Sequence, residues 1–214
     1  MSHLKRQKAP KNWPIKRKGT TYVVRPNFNI KKGIPVLIIL RDVLEVAQTR
    51  KDVKKILTAK QILVNGKLVK DEKNNVVLFD TISIVLTKKF YRMGLSSKGK
   101  FEVQEINAKE SEKKIAKIID KKILKGKKIQ LNLSDGTNFL SDLKCNVKDS
   151  VLVNLLERKI EAIIPFGEKT KAIILEGKHA GETGTINKIK NQTAEVKIED
   201  KTVEILIKQL MVTQ

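Results

Sequence analysis

One cysteine stands in the whole 214-residue chain. A lone Cys145 can neither close an internal disulfide nor supply a thiolate cluster to zinc, so a stapled secreted scaffold and a zinc module are both excluded; a reducing cytosol is the simple setting, and packing the simple role. No apolar run approaches the roughly 20 residues that a membrane span requires. The longest candidate, Ile34–Leu40, stops at Arg41-Asp42. The N-terminus carries cations but lacks the apolar stretch and small-residue cleavage site of a secretory signal. Aromatic residues make up only 4% of the chain against 40% hydrophobic, which favours small modules filled by Ile, Leu and Val over one large core. Histidine is nearly missing too: His3 and His179 have no partner suggested by spacing, and the carboxylates show no marked pair. Catalysis, metal binding and cofactor binding are therefore not expected, nor is a small-molecule substrate.

Negative charge is scarce as well. The formal net charge is +22 with a pI near 10.0. Such a surplus repels itself unless a polyanion neutralises it, which makes nucleic acid the leading partner class and a membrane surface the second. The surplus is uneven. Residues 1–41 hold eleven Lys and Arg and no Asp or Glu, so the first fifth of the chain carries half the net charge. Its cations Lys5, Arg6, Lys8, Lys11, Lys16, Arg17 and Lys18 are candidates for contact with a polyanion. Pro10, Trp13, Pro14 and Gly19 interrupt them, a composition that would not fold alone and is expected to order on binding. Trp13 has two readings: it pins this arm to the body, or it stacks on an exposed base.

Regular structure begins near Pro35, which suits a first helical turn. Val36–Ala47 is apolar nearly all round and predicts a buried helix. TRKDVKKILTAKQILVNGK (residues 49–67) then predicts a second helix over 49–58, with Thr49 as N-cap and Asp52 reaching back to it. Arg50, Lys51, Lys54 and Lys55 fall within an arc of roughly 140° at helical spacing, and Val53, Ile56 and Leu57 share the opposite arc. A solvated basic face explains this as well as a binding face does. Ile62–Val64 reads as a strand entering a hairpin at Asn65-Gly66, a pair that tolerates positive φ. Lys60 and Lys67 flank these elements and extend the candidate surface. Ile82, Ile84 and Leu86 alternate as a further strand.

Beyond Lys88 the pattern changes. A polar helix is expected over Ala108–Ile119, then short strands at Ile129–Leu133, turning at Asp135-Gly136, and at Val151, Val153 and Leu155. A small barrel accommodates them. The last stretch opens with KAIILEGKHAGETGTI (Lys171–Ile186), whose Gly177, Gly181 and Gly184 are expected to supply positive φ at turns. No Gly-Lys-Ser/Thr follows, so this is not a phosphate-gripping P-loop.

Helix, basic-faced helix and VNGK hairpin resemble the S-four RNA-binding module over residues 36–86. EGKHAGETGTI resembles a KOW motif, with Gly177, Lys178, His179, Gly181 and Gly184 in its loop. Their order, with APKNWPIKRKGTTYVVRP in front and IQLNLSDGTN and AIIPF between, resembles the archaeal and eukaryotic small-subunit ribosomal protein S4e family. The short length is similar to the archaeal form, and the link around Asp142–Asp149 is shorter than the family's usual one. The resemblance implies a multidomain α+β chain: a basic extension at 1–35, an S-four-type module at 36–87, a central mostly-β domain at 88–170 and a KOW barrel at 171–214. It further implies a structural, non-enzymatic role in the cytoplasmic small subunit, with small-subunit rRNA and neighbouring ribosomal proteins as partners. Pseudouridine synthases and rRNA methyltransferases also carry S-four modules, but their catalytic domains do not fit in the remaining length. A non-ribosomal RNA-binding factor, in ribosome rescue, assembly or transcription, is the alternative. The KOW loop is suited equally to RNA and to protein.

Overall fold

A computed structural model describes residues 3–124, 128–141, 143–199 and 201–213. The chain is mostly β and divides into two compact units. The first holds the chain through Leu95 together with Lys100–Glu112; the second holds Ser96–Gly99 and everything from Lys113 onward.

In the first unit the arm is folded. β1 (Leu4–Lys5) pairs antiparallel with β2 (Tyr22–Val23), and a 3-10 turn spans Arg6–Lys8. Leu4, Ala9 and Trp13 are buried in the same core as Ile34, Val36 and Leu37. The expectation that the arm orders on binding is corrected here, because three apolar anchors set among its cations pack it onto the module's core. β3 (Gly33–Pro35) then leads into α1 (Val36–Ile38), which continues as a wider π-type turn over Ile39–Val43. The apolar helix is thus shorter than Val36–Ala47. Glu45 adopts a φ of 52°, and the Val46 and Ala47 N–H groups both turn back to the Leu40 carbonyl at 2.9 and 3.3 Å.

α2 (Arg50–Thr58) follows the expected span. β4 (Ile62–Val64) and β5 (Lys67–Leu68) close a hairpin in which Asn65 and Gly66 hold φ of 51° and 71°. β6 (Asn75–Val77) pairs with β3. β7 (Thr81–Ile84), β8 (Lys89–Leu95) and β9 (Phe101–Ile106) complete an antiparallel sheet in the order β5-β4-β7-β8-β9. Leu86 lies outside β7, in the turn to β8, and is 70% exposed.

The predicted helix over Ala108–Ile119 is only one turn, α3 (Ala108–Ser111). From Lys113 the second unit begins with a long strand, β10 (Lys113–Ile123). Its first half pairs with β13 (Ser150–Asn154), its second half with β11 (Ile129–Leu133). Pairing on both sides, together with the β-branched Ile115, Ile118 and Ile119, overrides the helical propensity of its Lys and Ala. β12 (Asn138–Leu140) and β14 (Lys159–Ile164) flank the sheet, in the order β12-β11-β10-β13-β14. Leu155 falls in the turn after β13. Cys145 packs with Leu131, Leu133 and Val151, and burial pushes its thiol above its ordinary range, as packing requires. Asp142, in the short link, lies outside the described residues.

The C-terminal sheet is a meander whose last strand returns to its first: β15 (Lys171–Ile174), β16 (Thr183–Lys190), β17 (Thr193–Ile198), β18 (Lys201–Leu206) and β19 (Leu210–Val212), in the order β18-β17-β16-β15-β19. Ala172, Ile174, Ile186, Val196 and Leu210 form its core. Gly177 and Gly181 hold φ of 104° and 92°, as expected of turn glycines. Gly184 is different. It lies within β16, and a Cβ there would come within 2.4 Å of the Lys197 carbonyl oxygen, so close backbone approach is its requirement.

Candidate nucleic-acid interface

α2 carries its cations on a rigid frame. The Asp52 N–H donates to Thr49 Oγ1 at 3.2 Å and the Thr49 N–H donates to Asp52 Oδ2 at 3.1 Å, a closed capping box. Hydrogen bonds from Thr49 hold the Asp52 carboxyl below its usual range, so it stays ionised where the helix dipole favours an anion. Val53 and Leu57 are buried and Ile56 packs beside them, which turns Lys51, Lys54 and Lys55 outward. Among the described residues, none of these three lysines makes an ion pair.

Arg50 departs from the expected set. Its Nε donates to both oxygens of Glu72 at 2.9 and 3.0 Å, and its Nη2 reaches Glu72 Oε1 as well. Glu72 is 4% exposed, and the hydrogen bond to it raises the Arg50 pKa further. Arg50 therefore neutralises a buried carboxylate of its own module, a role that spacing along one helix cannot show.

The hairpin after α2 is braced from a distance. Asn65 Nδ2 donates to Asp80 Oδ1 at 2.9 Å, while Asn65 Oδ1 accepts from the Thr81 N–H at 3.0 Å. Asp80 Oδ2 in turn accepts the Val77 N–H at 2.7 Å. Asn65 thus supplies both the positive φ and the lock on β7, and Asp80 is a positioning residue that sequence reading missed. Lys67 leaves this turn exposed, and Lys60, at φ 56°, ends α2 exposed.

Within the arm the cations divide. Arg6 donates Nε to the Thr20 carbonyl at 2.7 Å, Nη1 to the Lys16 carbonyl at 2.8 Å and Nη2 to Thr20 Oγ1 at 2.7 Å. Arg17 donates to the Ala9 carbonyl at 2.8 Å. Both fold the arm. Lys5, Lys8, Lys11, Lys16 and Lys18 stay exposed. Trp13 is 2% exposed and its Nε1 donates to the Gly33 carbonyl at 3.0 Å, so the anchoring reading holds and base stacking is corrected.

At the KOW loop, Lys178 is exposed, and His179 Nδ1 lies 3.0 Å from Glu182 Oε2. His179 thus has a partner three residues away that closes the turn. No group of three or more His, Cys, Asp or Glu fit to hold a metal occurs among the described residues. No helix among them is long and apolar enough to cross a membrane.

Comparison with known proteins gives the family of the chain. The family model described as ribosomal family S4e matches residues 87–160, and the RS4NT domain matches residues 2–28. The small ribosomal subunit protein eS4 of Methanocella arvoryzae is 40% identical over 192 residues, covering 88% of this chain and 81% of its own. That of Archaeoglobus fulgidus is 38% identical over 190 residues, covering 88% and 80%. The crystal structure of the 30S ribosomal protein S4e from Thermoplasma acidophilum is similar with a TM-score of 0.74 at 27% identity, covering 85% of this chain and 95% of that one. The class is thus that of ribosomal proteins. Within it, this chain belongs to the S4e family of the small subunit.

Proposed function

We propose that the chain is a structural component of the small ribosomal subunit and holds small-subunit rRNA by phosphate-directed contacts. The exposed lysine face of α2 carries this reading: Lys51, Lys54 and Lys55 project from a capped helix, and among the described residues Asp52 and Asp71 act on Lys55 and Lys54 only from beyond ion-pair distance. Lysines are point charges suited to backbone phosphate, and a protein that sits on one folded RNA can dispense with base-edge readout. Lys60, Lys67 and the exposed arm lysines extend the surface, while Arg6, Arg17 and Arg50 shape it from within. Because the arm is already docked on its module, binding uses a preformed surface and incurs little ordering entropy. The KOW loop has a different character. Its single exposed lysine, Lys178, lies between Glu176 and Glu182, which suits a neighbouring protein better than phosphate. No step of this account needs catalysis.

Sucrose-gradient sedimentation of cell lysate in high salt tests residence. Stoichiometric co-migration with small subunits is expected; partial, salt-labile occupancy would instead identify a transient RNA-binding factor.

A further inference from the structure

Lysine outnumbers arginine 38 to 7 in this chain, yet four of the seven arginines meet at one cavity of about 480 Å³ in the first unit. Arg6, Arg25, Arg41, Arg50 and Lys73 line it, and no carboxylate does among the described residues. The neighbouring acids stand with the arginines: Arg41 Nη2 lies 2.8 Å from Asp42 Oδ2, and Glu72 holds the Nε and Nη2 edge of Arg50. These pairs, and the three bonds that fasten Arg6 to the arm, fix guanidinium planes in place before any ligand arrives. A fixed fork loses less entropy on binding phosphate than a free lysine does. The remaining lining comes from the apolar Val23, Val24 and Leu37, the hydroxyl-bearing Thr20 and one aromatic, Tyr22, which is 55% exposed. The His3 ring also lines the cavity and lies 5.4 Å from that of Tyr22, tilted by 59°.

We infer that this cavity receives a single unpaired nucleotide of the rRNA, its base stacked on Tyr22 and its phosphate held by the arginines. The inference rests on the rRNA-binding reading above and adds to it a site of different chemistry. A duplex offers phosphates on a convex ridge with its bases hidden, and the lysine face of α2 serves that shape. A concavity lined by an aromatic ring, apolar side chains and guanidinium forks fits instead a flat ring joined to an anion. Its volume lies within the roughly 300–1,000 Å³ range of small-ligand sites, enough for one nucleotide and too small for a helix.

The test uses the full chain and small-subunit rRNA from the same cell. Tyr22→Ala is expected to weaken binding by about fivefold or more, as loss of one stacked base does, while the salt dependence stays unchanged because no charge is removed. Tyr22→Phe retains binding. Ultraviolet irradiation of the native complex, followed by trypsin digestion and fragmentation mass spectrometry, is expected to show a nucleotide adduct at Tyr22 of the peptide Gly19–Lys31, a readout independent of how any variant folds. Native affinity in Tyr22→Ala, or adducts confined to residues other than Tyr22, overturns the inference. Saturable binding of free adenosine monophosphate without an rRNA adduct at Tyr22 assigns the cavity to a small metabolite and overturns it too. If reversing the α2 lysines weakens binding while Tyr22→Ala does not, this inference alone fails. If the native chain does not bind rRNA, both readings fall.

Discussion

Arg50→Ala tests whether a cation of the α2 face holds its module together. The substitution leaves the Glu72 carboxylate 4% exposed with its bidentate partner gone. Breaking a buried ion pair by removing one partner costs about 3–5 kcal/mol. Here the arginine side chain is 57% exposed, so water screens its half of the interaction and the expected cost falls to about 2–3 kcal/mol. Glu72→Gln in the same chain removes the stranded charge and is expected to restore most of that loss. Urea unfolding of the four proteins in this cycle, followed by circular dichroism at neutral pH, measures the coupling directly. The loss should persist in high salt, where an exposed pair would be screened away. A cost below about 0.5 kcal/mol for Arg50→Ala, the size of an ordinary surface change, would show that Glu72 does not depend on this partner. So would a double variant that is no more stable than the single one. It follows that reversing Arg50 to Glu damages the fold, and an RNA-binding test must leave Arg50 in place.

Two further predictions concern the second unit. Lys117 is 7% exposed, its ammonium donating to the Ile207 and Leu210 carbonyls at 2.6 Å each, and burial with the nearby Lys148 charge lowers its pKa to about 8. Because the unfolded chain binds this proton more tightly, native stability relative to Lys117→Met should rise between about pH 8 and 10.5 and be flat below; a difference that does not change across that window contradicts the assignment. Gly184→Ala drives a methyl group against the Lys197 carbonyl and should destabilise the C-terminal sheet by about 1–3 kcal/mol, whereas the same change at a permissive glycine costs little; an unchanged thermal midpoint would show that the strands can part.

Features formed by residues close together in the chain were legible from the sequence. Thr49 and Asp52 are three apart and Asn65-Gly66 are adjacent, so the capped helix and the hairpin could be drawn from local chemistry alone. The long strand from Lys113 could not. Its Lys and Ala read as helix, and only pairing with Ile129–Leu133 and Ser150–Asn154 makes it β. Site residues divide in the same way. The outward lysines of α2 follow from helical spacing, but the Glu72 that claims Arg50 lies 22 residues away, and the Gly33 that anchors Trp13 lies 20 away. The arginine-lined cavity gathers residues from the arm, α1, its π-type extension and α2, and no periodicity in the chain announces it.

Phosphate that meets the outer face of α2 must leave its mark on the salt dependence of binding. Filter binding of small-subunit rRNA to the native chain and to a Lys51→Glu, Lys54→Glu, Lys55→Glu variant, measured from low to high salt, gives two slopes of log affinity against log salt. The slope of the variant is expected to be shallower by about 2–3, at roughly 0.7–0.9 for each phosphate no longer neutralised, with the thermal midpoint preserved. Two superimposable lines would contradict it.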